Sequence, residues 1–218
     1  MGIDFDSARQ KMVDHQVRTT DVTSHSVLKA FLTVGREKFL PANMASIAYI
    51  DEDMEVAEGR YAMEPSPLAK LLQLADIRKT DLVLEIGCAT GYASALLSLM
   101  ADSVVALESD EALAEEATET LSSNGFENVA VVSGPLAAGY PSAAPYDVIV
   151  VNGAVDELPE AFGAQLRDGG RMVAVIGTGG AAQARLYVRS GDNISSRPVF
   201  NASIKPLPGF AKKPEFVF

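Results

Sequence analysis

Residues 84–94 read LEIGCATGYAS. The apolar stretch DLVLEIG (81–87) runs into a turn with glycine at 87 and 91, and YASALLSLM (92–100) continues with the spacing of a helix. Strand, glycine turn and helix in that order open a doubly wound α/β sheet, whose ligands bind at the carboxyl ends of the strands. Gly87 permits a tight turn, and a residue without a side chain lets backbone N–H groups approach a ligand. Amides at the start of the helix can hold a carboxylate. Cys88 fills a slot in the turn that suits a small residue.

The glycines are spaced G-x-x-x-G with Ala89 between them, not in the G-x-G-x-x-G pattern of nicotinamide or flavin enzymes. Glu85 precedes Gly87 by two, and E/D-x-G-x-x-x-G is the first cofactor motif of enzymes that use S-adenosyl-L-methionine (SAM). A second strand, SVVALES (103–109), ends in Glu108 and Ser109, where a carboxylate can accept both hydroxyls of a ribose. Each glycine alone is consistent with a plain structural turn. Strand, turn, helix and acidic strand end together point to SAM. A third strand, NVAVVSG (128–134), brings Gly134 and the backbone of Leu136 toward an adenine ring. A fourth, YDVIVVNG (146–153), brings Asn152 toward the methionine end, or uses that amide to tie down its own loop.

The alternation continues beyond these strands. DEALAEEATETLSS (110–123) and ELPEAFGAQL (157–166) read as helices, GRMVAVIG (170–177) as a fifth strand, and ARLYVRS (184–190) and SSRPVFNASIKPL (195–207) as closing strands with turns at Gly191 and Pro206. Strands that are apolar throughout suit a parallel sheet covered on both faces. Upstream, residues 5–19, 24–34 and 65–77 carry helical spacing. The expected fold is α/β: a doubly wound, mostly parallel sheet from residue 65 to 218, preceded by a helical extension and loop at 1–64 and closed by antiparallel strands.

Composition narrows the function. Twenty-nine acidic against 18 basic residues give a net charge of −11, which disfavours nucleic acid. MGIDFDSARQKMVDHQ lacks a secretory pattern, and no apolar run is long enough to span a membrane. One cysteine excludes an internal disulfide, and with only two histidines no metal site is expected. A cytoplasmic protein, monomeric or weakly homo-oligomeric, is the expectation. His15 and His25 have no partner suggested by spacing, so surface or packing roles are expected for both.

Over nearly its whole length the chain resembles the protein-L-isoaspartate (D-aspartate) O-methyltransferase family. The matching stretches are MVDHQV, VGREKFLP (34–41), AYIDEDMEVAEG (48–59), LEIGCATGYAS, PYDVIVVNGAV (145–155), LPEAFGAQLRDGGRMVAVIG (158–177) and KPLPGF (205–210). The specific part is V-x-R-E-x-F-x-P followed by A-Y-x-D. The resemblance implies a Rossmann-like SAM-dependent methyltransferase that esterifies the carboxylate of isoaspartyl residues in damaged proteins or peptides, for repair.

Two stretches depart from the family pattern. AEGRYAMEPSP (57–67) is punctuated by Gly59, Pro65 and Pro67 and reads as a loop. Laid on the family's G-x-T-I-S-x-P, its glycine and proline match, Tyr61 stands at the threonine and Met63 at the key serine. A thioether cannot donate a hydrogen bond. After the third strand, Gly134-Pro135-Leu136 replaces Gly-Asp-Gly, removing a carboxylate and one N–H. Arg60 can grip an acceptor carboxylate bidentately or sit solvated; Tyr61 can supply a phenolic O–H or pack. Ser66 is a displaced hydroxyl or a helix-start residue, and Glu64 is expected at the surface. A SAM enzyme with another acceptor, and a SAM- or isoaspartyl-binding protein without turnover, remain as alternative readings.

Overall fold

The computed structural model describes residues 2–211; the terminal KPEFVF, read as an edge strand or docking tail, lies outside them. The amino-terminal arm folds as its periodicity predicts. Helix α1 (Phe5–Met12) is capped by Asp4, whose carboxylate accepts from the Ser7 N–H at 3.0 Å, and it runs on through a wider turn at Val13–Val17. Helix α2 (His25–Thr33) follows. Both histidines are exposed.

The first half of the stretch read as a loop belongs, with residues 54–56 before it, to a short antiparallel hairpin, β1 (Met54–Ala57) and β2 (Arg60–Ala62), turning at Gly59 with φ +66°. Strands of four and three residues are too short to show an alternating pattern. Helix α3 (Pro65–Ala75) starts on two prolines, whose fixed φ suits a first turn.

The main sheet contains β3 (Leu82–Ile86), β4 (Ser103–Glu108), β5 (Val129–Ser133), β6 (Tyr146–Val155), β7 (Leu166–Ile176), β8 (Gln183–Ser190) and β9 (Asn193–Asn201), in the order β5-β4-β3-β6-β7-β8-β9. The first five positions are parallel and the last two antiparallel, as expected. Helices α4 (Tyr92–Ser98), α5 (Glu111–Ser123) and α6 (Glu160–Gln165) make connections between the parallel strands.

Uniformly apolar strands are explained by where alternate residues go. Val83, Val104, Val148 and Val150 join one core together with Met12, Phe31 and Leu68 of the amino-terminal helices. Leu84, Ile86, Leu107, Ile149 and Val151 face the other core, with Phe162 and Leu207. Each face is covered, so both parities of these strands are apolar except at the carboxyl ends, where Glu85, Glu108 and Asn152 stand. Among the described residues no helix is long and apolar enough to cross a membrane.

The last expected strand stops early. β9 ends at Asn201, and the chain then crosses the carboxyl edge of the sheet: Ala154 N–H donates to Lys205 O at 2.9 Å and Leu207 N–H to Ala154 O at 2.8 Å. Pro206 is therefore a bridge to Ala154, not a turn. This crossing puts Leu207 over the point where strand order reverses, between β3 and β6.

Candidate active site

The site is built at that reversal, where diverging connections leave a crevice beyond the strand ends. Glu85 lies beneath it, fully buried. Its carboxylate accepts from Ser94 Oγ at 2.5 Å and from Asn152 Nδ2 at 2.8 Å, tying β3 to α4 and β6. Burial pushes Glu85 up to about 7; the two hydrogen bonds pull it down, and the charge of Glu108 adds to the rise. Asn152 Oδ1 is buried and has no partner among the described residues.

The turn after β3 is held by Gly87 and Cys88, whose N–H groups donate to Leu107 O at 2.8 and 3.1 Å. Gly87, Ala89 and Gly91 all have positive φ (+83°, +50° and +91°). Ala89 is the unusual member, since an L side chain seldom takes that conformation. The Cys88 thiol is buried, and burial holds its pKa well above the usual value, so it stays a thiol at neutral pH.

Glu108, also fully buried, closes the opposite side. Its Oε1 accepts from the N–H groups of Ser109 (2.7 Å) and Asp110 (3.2 Å) and from Ser109 Oγ (3.2 Å). Its Oε2 accepts from the Ala89 N–H at 2.8 Å and from Arg60 Nη2. Arg60 is therefore not a solvated loop residue; it is 5% exposed and ion-paired to Glu108. Gly134 follows β5 and donates its N–H to Glu108 O at 2.9 Å, while the Leu136 side chain is buried in the second core.

Arg60 and Leu207 lie against the glycine turn. A Cβ on Gly87 would stand 2.6 Å from Leu207 Cδ2 and 3.3 Å from Arg60 Nη2, and one on Gly153 would stand 2.5 Å from Leu207 Cγ. The space left is small. One cavity of about 10 Å³ is walled by Arg60, Tyr61, Met63, Asn152 and Leu207 among others, and a second of about 10 Å³ lies on the Cys88 side of Met63 and Asn152. Each has room for roughly one water.

The acceptor-side candidates lie together. Met63 is buried between the two cavities, and its carbonyl accepts from Arg36 Nη1 at 2.7 Å. Lys205 Nζ lies 5.5 Å from the centroid of the Tyr61 ring. Ser66 takes its helix-start role: its N–H and Oγ both donate to the Asp51 carboxylate, at 2.9 and 2.5 Å. Glu64 is half-buried rather than exposed, and its N–H donates to Asp53 Oδ1 at 3.0 Å. Burial, then the charges of Asp53 and Asp51, push its carboxyl up to about 7 against the pull of Arg36.

The donors and acceptors fit an adenosyl cofactor: a desolvated carboxylate at the end of β4, a glycine turn that admits close approach, and an unpaired amide oxygen on β6. The two cavities of about 10 Å³ are smaller than an adenosyl group, and Arg60 and Leu207 are the side chains packed against the glycine turn. A model of the protein-L-isoaspartate(D-aspartate) O-methyltransferase family matches residues 7–207. The chain belongs to this family. A protein-L-isoaspartate O-methyltransferase of Methanoculleus marisnigri is 35% identical over 201 residues, 92% of this chain and 91% of its own. One from Koribacter versatilis is 37% identical over 170 residues, 78% of this chain and 77% of its own. A solved protein-L-isoaspartate O-methyltransferase structure superposes with a TM-score of 0.80 at 30% identity, covering 92% of this chain and 66% of that one. The family is one of SAM-dependent O-methyltransferases acting on isoaspartyl carboxylates, and the chain is an enzyme of that class by membership.

Three residues at this crevice escaped the sequence reading. Arg36, fully buried, lies under Met63 with its guanidinium 5.1 Å from the Tyr92 ring centroid; its signal was the R of VGREKFLP. Ser94 had a signal too, lying within the helix that follows the glycine turn. Leu207 had none beyond KPLPGF.

Proposed function

We propose that this chain carries out the family's reaction, methyl transfer to the isoaspartyl carboxylate of a protein or peptide, at the crevice between β3 and β6. The observation that carries this reading is the buried Glu108 carboxylate at the end of β4, beside a glycine turn whose Ala89 N–H it accepts. In this reading Glu108 takes the ribose hydroxyls, with Ser109 and Asp110 holding it. Glu85, Gly87, Cys88 and Gly91 shape the floor, Gly134 and Leu136 the adenine end, and Asn152 the methionine end. When bound, SAM supplies an electrophilic sulfonium methyl.

The chain's own residues have a modest chemical task. A carboxylate is already ionised and nucleophilic at neutral pH, so no general base is needed, and holding it in line supplies most of the acceleration. Tyr61 and Met63 wall the acceptor side, and Arg60 and Lys205 are the cations that line it. Met63 excludes water but donates nothing; the Tyr61 phenol is the remaining O–H donor on that wall. Residues 1–64 are the helical extension with the acceptor-side loop, and residues 65–218 the SAM-dependent methyltransferase domain.

A second reading, ligand binding without turnover, rests on one observation: Arg60 holds the Glu108 carboxylate, and it lies with Leu207 against the glycine turn. Transfer of radiolabelled methyl from SAM to an isoaspartyl peptide, against the same peptide with aspartate, separates the two. Labelling confined to the isoaspartyl peptide is expected; labelling of neither would overturn the repair reading. We place the protein in the cytoplasm, as a monomer or weak homo-oligomer without nucleic-acid or membrane partners. The net charge of −11 supports the exclusion of polyanions.

A further inference from the structure

We propose that Arg60 is an internal competitor for the cofactor's place on Glu108, and that the guanidinium displaced by the cofactor becomes the cation for the acceptor carboxylate. This rests on the cofactor reading above and adds an order to it. Arg60 reaches Glu108 from the hairpin, 48 residues away in sequence, and donates to the oxygen that also accepts from Ala89. Oε1 is already taken by the N–H groups of Ser109 and Asp110. The carboxylate is thus saturated, and no ribose hydroxyl can bind it until the guanidinium leaves. The same guanidinium is 3.3 Å from where a Gly87 Cβ would stand, on the approach a cofactor would use.

The guanidinium cannot be released into nothing. Its Nε is buried and without a partner among the described residues even in the closed arrangement. A desolvated guanidinium needs an anion, and Arg pairs best with a carboxylate presenting two oxygens. The cavity beside it, the acceptor side of the site, is walled by Tyr61, Met63 and Asn152 and also by Asp53 and Lys205, whose opposite charges face each other there, so the entering carboxylate is the anion left for the guanidinium. An isoaspartyl carboxylate entering there meets the displaced cation. Cofactor and acceptor therefore bind with positive coupling, and each raises the affinity of the other by the same factor.

The size of the effect follows from population. If the open arrangement is held by about one molecule in ten to one in a hundred, apparent cofactor affinity falls by about ten- to a hundredfold. Arg60→Gln removes the charge and shortens the reach while keeping an amide donor; Arg60→Lys keeps the charge. Titration calorimetry with S-adenosylhomocysteine is expected to show Arg60→Gln binding at least about tenfold tighter than wild type, with Arg60→Lys close to wild type. An isoaspartyl peptide is expected to bind wild type more tightly when S-adenosylhomocysteine is saturating, and Arg60→Gln without that gain.

Equal or weaker S-adenosylhomocysteine binding by Arg60→Gln overturns the competition. Tighter binding with no coupling to the peptide in wild type overturns the hand-over. If wild type and both variants all fail to bind, the cofactor reading itself falls, a pattern distinct from the other two. Circular dichroism checks that each variant is folded, and Arg60→Met replaces the Gln variant if that one is not.

Discussion

Glu85→Gln isolates the electrostatic strain stored beneath the glycine turn. Glu85 is fully buried, and its carboxyl is pushed from an ordinary 4.5 up to about 7. At about 1.4 kcal/mol per decade, this amounts to roughly 3 kcal/mol of differential stability. The sign follows from proton uptake. Between pH 4.5 and 7 the folded protein holds a proton on Glu85 that the unfolded chain has released, so stability falls as pH rises through that window and levels off above it. Glutamine copies the protonated form: its carbonyl still accepts from Asn152 Nδ2, and its amide turns to Ser94 Oγ, a hydroxyl that accepts as readily as it donates.

Urea unfolding followed by circular dichroism between pH 5 and 8 tests this. The variant is expected to gain on wild type by about 2–3 kcal/mol across that range and to be the more stable protein at pH 8. The half-buried Glu64, raised for similar reasons, is present in both proteins and cancels in the difference. A gap independent of pH, or a variant less stable than wild type at pH 8, would show that burial of the Glu85 charge does not strain the fold.

Other substitutions probe the acceptor side. Arg36→Met leaves the Met63 carbonyl without its buried donor and is expected to lose about 1–3 kcal/mol of stability, measured by chemical unfolding, with a larger loss if the Ala62 carbonyl is also orphaned. Met63→Ser restores a hydroxyl where the family's loop has one. If the thioether limits turnover, methyl transfer to an isoaspartyl peptide rises about tenfold or more, within the range a positioned donor supplies; no gain would show that Met63 is not limiting.

Much of this site was legible because its residues are set by local chain geometry. A strand running into Gly87, and a second strand ending in Glu108, occupy fixed places in a doubly wound sheet. Their amide contacts come from Ala89, Ser109 and Asp110, residues of the same two turns. The uniformly apolar strands likewise announced a sheet covered on both faces. The family motifs added the reaction, since those residue spacings are carried by the chain itself.

The rest depends on distance in sequence. The hairpin at 54–62 was invisible because its strands are too short for a period. Glu64 was expected outside and is half-buried, because the hairpin, Asp51 and Asp53 close around it. Arg60 read as either a grip on an acceptor carboxylate or a solvated loop residue, and tertiary packing set it instead beside Glu108, 48 positions on. Leu207 blocks Gly87 because the chain after β9 crosses the sheet edge and bonds to Ala154. Local periodicity and turn chemistry record what a residue's neighbours in sequence require of it. Which cation meets a buried carboxylate, and whether a crevice stands open, is decided by segments that meet only when the whole core has closed.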